Sequence, residues 1–214
     1  MARGGLTDRA GPQPVPQQHQ LPRWNHNAQY YPQVLRALPI GARTALDVGC
    51  GAGELTRQLR SKVGDVVGID PDAASLHAAL AVEGDPISYR QVGLLEDRLL
   101  PEDHFDLVAC VGALHHMDAA PALARMAQLV RPGGALVVVD RARVDVPGLP
   151  WLLAGLIADR ITLRRKDFFQ FPAPPARVTH TYGELAAIAA AALPGVQYRR
   201  RLYFRYTLIW RKPA

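Results

Sequence analysis

Leu46-Asp-Val-Gly-Cys-Gly-Ala-Gly53, followed by Val66-Val-Gly-Ile-Asp70, is the stretch whose reading decides the fold. A hydrophobic strand runs into a turn with glycines at 49, 51 and 53, and an acidic residue ends the next strand. Glycine tolerates positive φ and lets a bulky ligand approach the backbone. The turn then feeds a helix whose amide end faces that ligand. Asp70 stands 21 residues after Gly49, and a carboxylate at that distance along such a unit accepts both hydroxyl hydrogens of a ribose. These residues predict a nucleoside-type cofactor and leave the substrate open.

Outward from this turn, strand and helix signals alternate. Strands are predicted over 44–48, 65–69, 87–92, 105–110 and 135–140, and helices over 53–60, 73–81 and 120–129. Leu123, Met126 and Leu129 or Val130 mark the inward side of the last helix, which Arg131-Pro-Gly-Gly134 stops. The run 135–140 is continuously apolar up to Asp140, as a parallel strand buried on both faces should be. This order indicates a doubly wound, Rossmann-like α/β sheet.

The two ends of the chain read differently. Residues 1–22 are rich in Gly, Pro and Gln without periodicity and are expected to form a flexible tail. Tyr30, Val34, Leu35 and Leu38 give a short helical stripe before the first strand. Thr181-Tyr-Gly-Glu184 can form a reciprocal cap for a helix reaching about Ala192. Two strands over 196–201 and 204–210 then close the chain. The expected organisation is one domain over 23–214 with an N-terminal cap segment and an insertion at 141–180.

With 49% hydrophobic and 21% charged residues, the composition is that of an ordinary soluble protein, and residues 1–22 show neither the apolar stretch nor the small-residue cleavage pattern of a secretion signal, so none is expected. Residues 149–157 are apolar but too short to span a bilayer, so no membrane insertion and a cytoplasmic location are expected. Cys50 and Cys110 read as free thiols, and two isolated thiols do not make a metal site. The net charge of +6 concentrates at Arg199, Arg200, Arg201, Arg205, Arg211 and Lys212, with a second group at Arg160, Arg164, Arg165 and Lys166. Such groups bind RNA or anionic substrates, or simply solvate an edge strand and a helix; the second reading is favoured. Monomer and homodimer both stay open.

Asp47 separates the candidate cofactors. It would set a carboxylate beside the loop where a dinucleotide pyrophosphate sits, which is unfavourable, whereas it suits the ammonium of S-adenosylmethionine. The two-strand ending also departs from the paired halves of a dinucleotide fold. The first motif, 46–56, resembles that of class I S-adenosylmethionine-dependent methyltransferases, and Gly68-Ile-Asp70 resembles their ribose-binding motif. His104-Phe-Asp-Leu-Val-Ala-Cys110 with Ala113-Leu-His-His-Met117 is similar to the strand-four region of the small-molecule (UbiE-like) branch. Leu129-Val-Arg-Pro-Gly-Gly-Ala-Leu-Val-Val-Val-Asp140 is similar to the closing motif. The resemblance covers about residues 40–140 strongly and the final hairpin loosely.

The resemblance implies a seven-stranded mixed sheet of order 3-2-1-4-5-7-6 with strand 7 antiparallel. It places Asp47, Gly49, Cys50, Gly51 and Gly53 around the methionine part of the cofactor, Asp70 on the ribose and Pro71 beside adenine. The acid that often follows strand three is replaced by Gln91-Val-Gly-Leu-Leu-Glu96, so backbone at Gly93 and Leu94, or Glu96 reaching back, would serve adenine.

Methyl transfer is a displacement whose main demands are alignment and exclusion of water. His116 and His115 stand just past strand four, where a general base belongs, with His116 preferred; each can instead pack and cap locally. His180 is a third candidate, or an exposed loop residue. Trp24, His26, Tyr30 and Tyr31 suit a lid over the cleft or a cover for the sheet. Trp151, in an apolar cluster with Leu152, Leu153, Leu156 and Ile157, suits a substrate wall or a dimer contact, as do Phe168, Phe169 and Phe171 before the stiffening Pro172, Pro174 and Pro175. The leading expectation is a methyltransferase acting on O, N or C of a small, partly hydrophobic acceptor. An RNA or protein methyltransferase, a noncatalytic S-adenosylmethionine-binding protein and a nicotinamide oxidoreductase are the alternatives.

Overall fold

The computed structural model describes residues 23–82, 84, 86–145, 149–169 and 177–214. The expected tail at 1–22, together with Phe171 and the prolines at 172, 174 and 175, lies outside the described residues. The strands are β1 (Arg23–Trp24), β2 (Thr44–Val48), β3 (Asp65–Asp70), β4 (Ser88–Gln91), β5 (Phe105–Val111), β6 (Val130–Asp140), β7 (Asp167–Phe168), β8 (Gln197–Arg201) and β9 (Arg205–Arg211). The helices are α1 (Tyr31–Arg36), α2 (Glu54–Arg60), α3 (Ala73–Leu80), α4 (Ala119–Leu129), α5 (Leu149–Thr162) and α6 (Tyr182–Ala192).

Seven strands pair in the order β4-β3-β2-β5-β6-β9-β8, which is 3-2-1-4-5-7-6 once the two short strands are set aside. β2 to β6 run parallel, and β9 lies antiparallel to β6 with Asp140 opposite Tyr206. The centre of this sheet is the apolar run the sequence announces: Leu107 to Cys110 and Ala135 to Val139 have no significant exposure. Burying such β-branched and aliphatic side chains on both faces drives the fold. One face is covered by α4 and α6, with Leu123, Met126 and Leu185 packed on Leu136, Val138 and Leu208. The other is covered by α1 and α2, with Val34, Leu55 and Leu59 packed on Leu107, Val137 and Val139.

Local signals place the helix starts. Asp72 accepts the Ser75 amide at 2.9 Å ahead of α3. Thr181 and Glu184 form the expected capping box ahead of α6. β6 begins earlier than expected. Lys212 and residues 133 and 134 exchange backbone bonds of 3.0 Å, so the Pro-Gly-Gly segment continues the sheet instead of leaving it. The additional pair β1–β7 ties the start of the chain to the segment after α5, a contact two residues long that carries no pattern of its own. Among the described residues no helix is long and apolar enough to cross a membrane.

The topology collects the informative loops on one edge. Parallel strands β2, β3, β5 and β6 end there at Val48, Asp70, Val111 and Asp140. Because β9 runs the other way, its first residue, Arg205, and the turn Leu202–Phe204 come to the same edge.

Candidate active site

The glycine turn is built as the sequence demands. Gly49, Gly51 and Gly53 have φ of 69°, 53° and 76°. A side chain at Gly49 would overlap Ala113, whereas the space beside Gly51 is open. The Ile69 carbonyl accepts the amides of Gly49 and Cys50 at 2.8 and 3.0 Å. The Asp70 carboxylate accepts Gly51 N–H at 2.8 Å through one oxygen and Asp72 N–H at 2.9 Å through the other. Asp70 therefore stands at the strand end with Pro71 beside it and shapes the turn from below.

Asp47 is buried, with its Oδ2 accepting the Thr56 hydroxyl at 2.7 Å. Burial pushes its pKa up to about 7, Thr56 opposes the shift, and the nearby Asp70 charge adds to it. Among the described residues no cation pairs with Asp47, and a cationic ligand would favour its ionised form. The Cys50 thiol packs against Gly68, and burial pushes its pKa well up, so Cys50 contributes to the turn through its backbone. Tyr89, opposite Gly68 in the sheet, lays its ring across that glycine and brings its hydroxyl to Gly53. In the segment expected to serve adenine, the Glu96 carboxylate folds back onto Gly93, while the Leu94 side chain is buried in the core.

The histidine pair separates into two environments. His115 Nδ1 lies 2.8 Å from Asp140 Oδ1, its backbone N–H donates to Asp140 Oδ2 at 2.8 Å, and Arg141 Nη2 lies 2.9 Å from its Nε2. A guanidinium only donates, so Nε2 accepts and Nδ1 carries the proton toward Asp140. Both His115 nitrogens are thus engaged. The His116 ring lies 4.2 Å from that of His115, tilted at 45°, but is exposed, and its nitrogens have no hydrogen-bond partner among the described residues. Burial and then the neighbouring His115 lower its pKa, which favours the neutral ring able to accept a proton. His180 sits 3.0 Å from the Thr179 hydroxyl and shares a small cavity with His115, Arg141 and Tyr206.

The expected lid residues meet above this edge. Trp24 is buried, donates to Gln29 at 2.8 Å and packs edge-on against His26 (5.2 Å) and Tyr203 (5.1 Å). Phe168 lies 6.1 Å from Trp24 and 5.3 Å from His26. His26 bonds Asp159 of α5 at 2.9 Å, and burial first of all lowers its pKa. The Tyr30 hydroxyl donates to Leu202 O at 2.7 Å. Tyr31 turns the other way, within the field of Asp47, Glu54 and Arg57, so the two tyrosines serve opposite ends of the cleft. Trp151, on α5, is 44% exposed.

Sequence reasoning passed over several residues here. Tyr203 and Phe204 form the tip of the last hairpin with φ of 56° and 59°, and Tyr203 Oη lies 2.9 Å from Thr162 Oγ1. Asn27 lies against Gly112 and accepts Arg205 Nε at 3.0 Å. Asp140, fully buried at the end of an apolar strand, was visible as a charge where none belongs. Among the described residues no cluster of side chains is arranged to hold a metal ion.

With this geometry in place, the comparisons are consistent. Residues 46–138 match the model of a methyltransferase domain. An uncharacterised methyltransferase of Mycobacterium tuberculosis is 34% identical over 197 residues, covering 89% of this chain and 98% of that protein. A ubiquinone biosynthesis O-methyltransferase of Alkalilimnicola ehrlichii is 37% identical over 103 residues, 46% of this chain and 41% of its own length. The solved N-methyltransferase NodS of Bradyrhizobium japonicum, in complex with S-adenosyl-L-homocysteine, superposes with a TM-score of 0.59 at 17% identity, covering 89% of each chain.

Proposed function

The chain belongs to the class I S-adenosylmethionine-dependent methyltransferases, and from that premise we propose that it methylates a small, partly hydrophobic acceptor at oxygen, nitrogen or carbon. The observation that carries this reading is the turn of three left-handed glycines clasped by Asp70 and backed by buried Asp47. The residues fit the cofactor. Asp47 is a buried carboxylate with no ion-pair partner among the described residues, the space at Gly51 admits a ligand against the backbone, and Asp70 stands where ribose hydroxyls would donate. When bound, S-adenosylmethionine supplies a methyl group on positively charged sulfur, open to direct displacement.

The chain's own part is alignment, exclusion of water and removal of one proton. Asp47 would hold the ammonium and Asp70 the ribose, so that the bound cofactor is oriented before the acceptor arrives. Trp24, His26, Phe168 and Tyr203 form an aromatic roof that shields the cleft. His116 takes the proton of an oxygen or nitrogen acceptor, while His115, locked between Asp140 and Arg141, holds the loop beneath it. We place the chain in the small-molecule branch because arginines of the C-terminal hairpin are engaged by groups of the fold itself. Arg200 lies 3.8 Å over the Tyr182 ring, Arg201 donates to Thr207, Arg205 donates to Asn27 and Arg211 donates to the Ala37 carbonyl.

Calorimetric titration with S-adenosylmethionine and S-adenosylhomocysteine tests the reading. Saturable binding that Asp70→Ala weakens by about 10²-fold is expected, from loss of two charge-assisted bonds to the ribose. Absence of binding by the folded parent protein would overturn it. Transfer of a labelled methyl group to a panel of phenols, amines and carbon acids then identifies the acceptor atom.

A further inference from the structure

Two guanidinium groups stand at the acceptor end of the cleft without a carboxylate of their own. Arg205, the first residue of β9, is largely enclosed; it donates Nε to Asn27 Oδ1 at 3.0 Å and Nη1 to the Tyr203 carbonyl at 3.4 Å. Both are neutral acceptors. Arg141, just past the end of β6, donates to His115 Nε2, while its own Nε is buried with no hydrogen-bond partner. Among the described residues, no carboxylate forms an ion pair within 4 Å of either.

Asp140 is the nearby acid, and it is already committed. Its two oxygens accept from His115 N, His115 Nδ1 and Arg141 N at 2.7 to 2.8 Å. Arg205 feels Asp140 and Arg141 at longer range, and burial depresses its pKa below the ordinary value. Enclosed cations held by neutral acceptors are unfavourable for folding alone. A planar guanidinium is, however, matched to a carboxylate, which accepts two parallel N–H bonds.

We propose that the methyl acceptor carries an anionic group of carboxylate type, anchored by Arg205 with Arg141 adding its charge, and an apolar body lying under the aromatic roof. The inference rests on the methyl-transfer reading of the cleft and names the acceptor class for it. Asn27, fixed against Gly112 at the end of β5, positions the Arg205 fork toward the cleft. Tyr203 and His26, both beside Arg205, belong to the aromatic roof, so anchor and roof adjoin. A carboxylate held by guanidinium is a poor nucleophile; the pair orients the acceptor while another of its atoms receives the methyl group.

The test uses the full chain saturated with S-adenosylhomocysteine, whose binding is measured first and independently reports the cofactor reading and the fold of every variant. Benzoate and decanoate are then titrated beside benzamide and decanamide. At least one carboxylate should bind, with its amide about tenfold weaker or worse. Arg205→Gln should abolish that discrimination with S-adenosylhomocysteine affinity retained. Asn27→Asp supplies a carboxylate to Arg205 from within the protein, and should raise the melting temperature while weakening carboxylate binding about tenfold. If neither carboxylate binds the loaded protein, if amides bind as well as acids, or if both variants leave the discrimination intact, the proposal is overturned. Failure of S-adenosylhomocysteine to bind the parent would instead strike the cofactor reading.

Discussion

At the scale of the residue, the site is set by groups whose charges the fold leaves incomplete. Asp47 illustrates the consequence for pH. Its pKa in the folded chain, about 7, lies above the ordinary carboxylate value of 3.8, so between those values the folded state holds a proton that the unfolded state has lost. Stability of the free protein therefore falls as pH rises through that window, by an amount on the order of 4 kcal/mol if Asp47 acts alone. Asp47→Asn should flatten the decline, raising the melting temperature at pH 8 by several degrees while removing cofactor binding; scanning calorimetry from pH 5 to 8 reads it. Cofactor affinity should move the opposite way, weakening as pH falls below 7 because the ammonium meets the ionised acid. The histidines divide likewise. His116→Ala should lower transfer to an oxygen acceptor about 10²-fold with stability nearly unchanged. His115→Ala leaves Asp140 short of a donor and should cost about 1–3 kcal/mol of stability. Reversed phenotypes in kinetics and urea melts would exchange the roles given to the two rings.

At the scale of the element, the last hairpin is the unusual piece. A β-turn with both central residues left-handed ordinarily takes Asn-Gly, because other side chains are strained there. Here Tyr203 and Phe204 occupy it. Their contacts offset the strain: Tyr203 packs on Trp24 and bonds Thr162, and the Phe204 ring lies against Gly155 of α5. The strained tip thus clips α5 and the N-terminal segment onto the sheet edge, a place where strain commonly serves function. Tyr203→Asn with Phe204→Gly should relax the turn and remove the clip together. Hydrogen exchange in 149–162 should accelerate, with the melting temperature moving by only a few degrees, since each variant trades about 1 kcal/mol of strain for packing. Unchanged exchange in α5 would show that other contacts hold it. The capping box gives the contrasting case, in which stability alone is at stake: Thr181→Ala should cost about 1 kcal/mol and leave cofactor affinity untouched.

At the scale of the molecule, what was legible in the sequence follows from the range of the forces involved. The sheet could be read because apolar runs such as 135–140 and the glycine turn constrain their own backbone locally, and Asp70 could be placed at a strand end beside that turn for the same reason. The aromatic cluster was legible in composition and not in arrangement: Tyr30 and Tyr31 are neighbours in sequence, yet Tyr30 bonds the last hairpin at Leu202 whereas Tyr31 lies near Glu54 and Asp47. Arg205 could not be told from its neighbours Arg199 to Arg201, since antiparallel pairing alone decides which of them reaches the site edge. That division also sets how the whole chain should respond to ligand. The cofactor turn belongs to the β2–β3 half, whereas Asn27, Arg205 and the clip on α5 belong to the acceptor half. Cofactor at 100 times its dissociation constant should add about 2.7 kcal/mol to global stability, or roughly 5–10 °C in a chain of this size. If the two halves are rigidly joined, protection from hydrogen exchange should rise equally at 44–70 and 149–162. If the clip opens independently, S-adenosylhomocysteine should protect 44–70 alone, and protection of α5 should require an acceptor-like carboxylate bound beside Arg205. We expect the second pattern, because α5 is held by ring contacts and single hydrogen bonds instead of by the sheet. Equal protection by S-adenosylhomocysteine alone would show one cooperative unit.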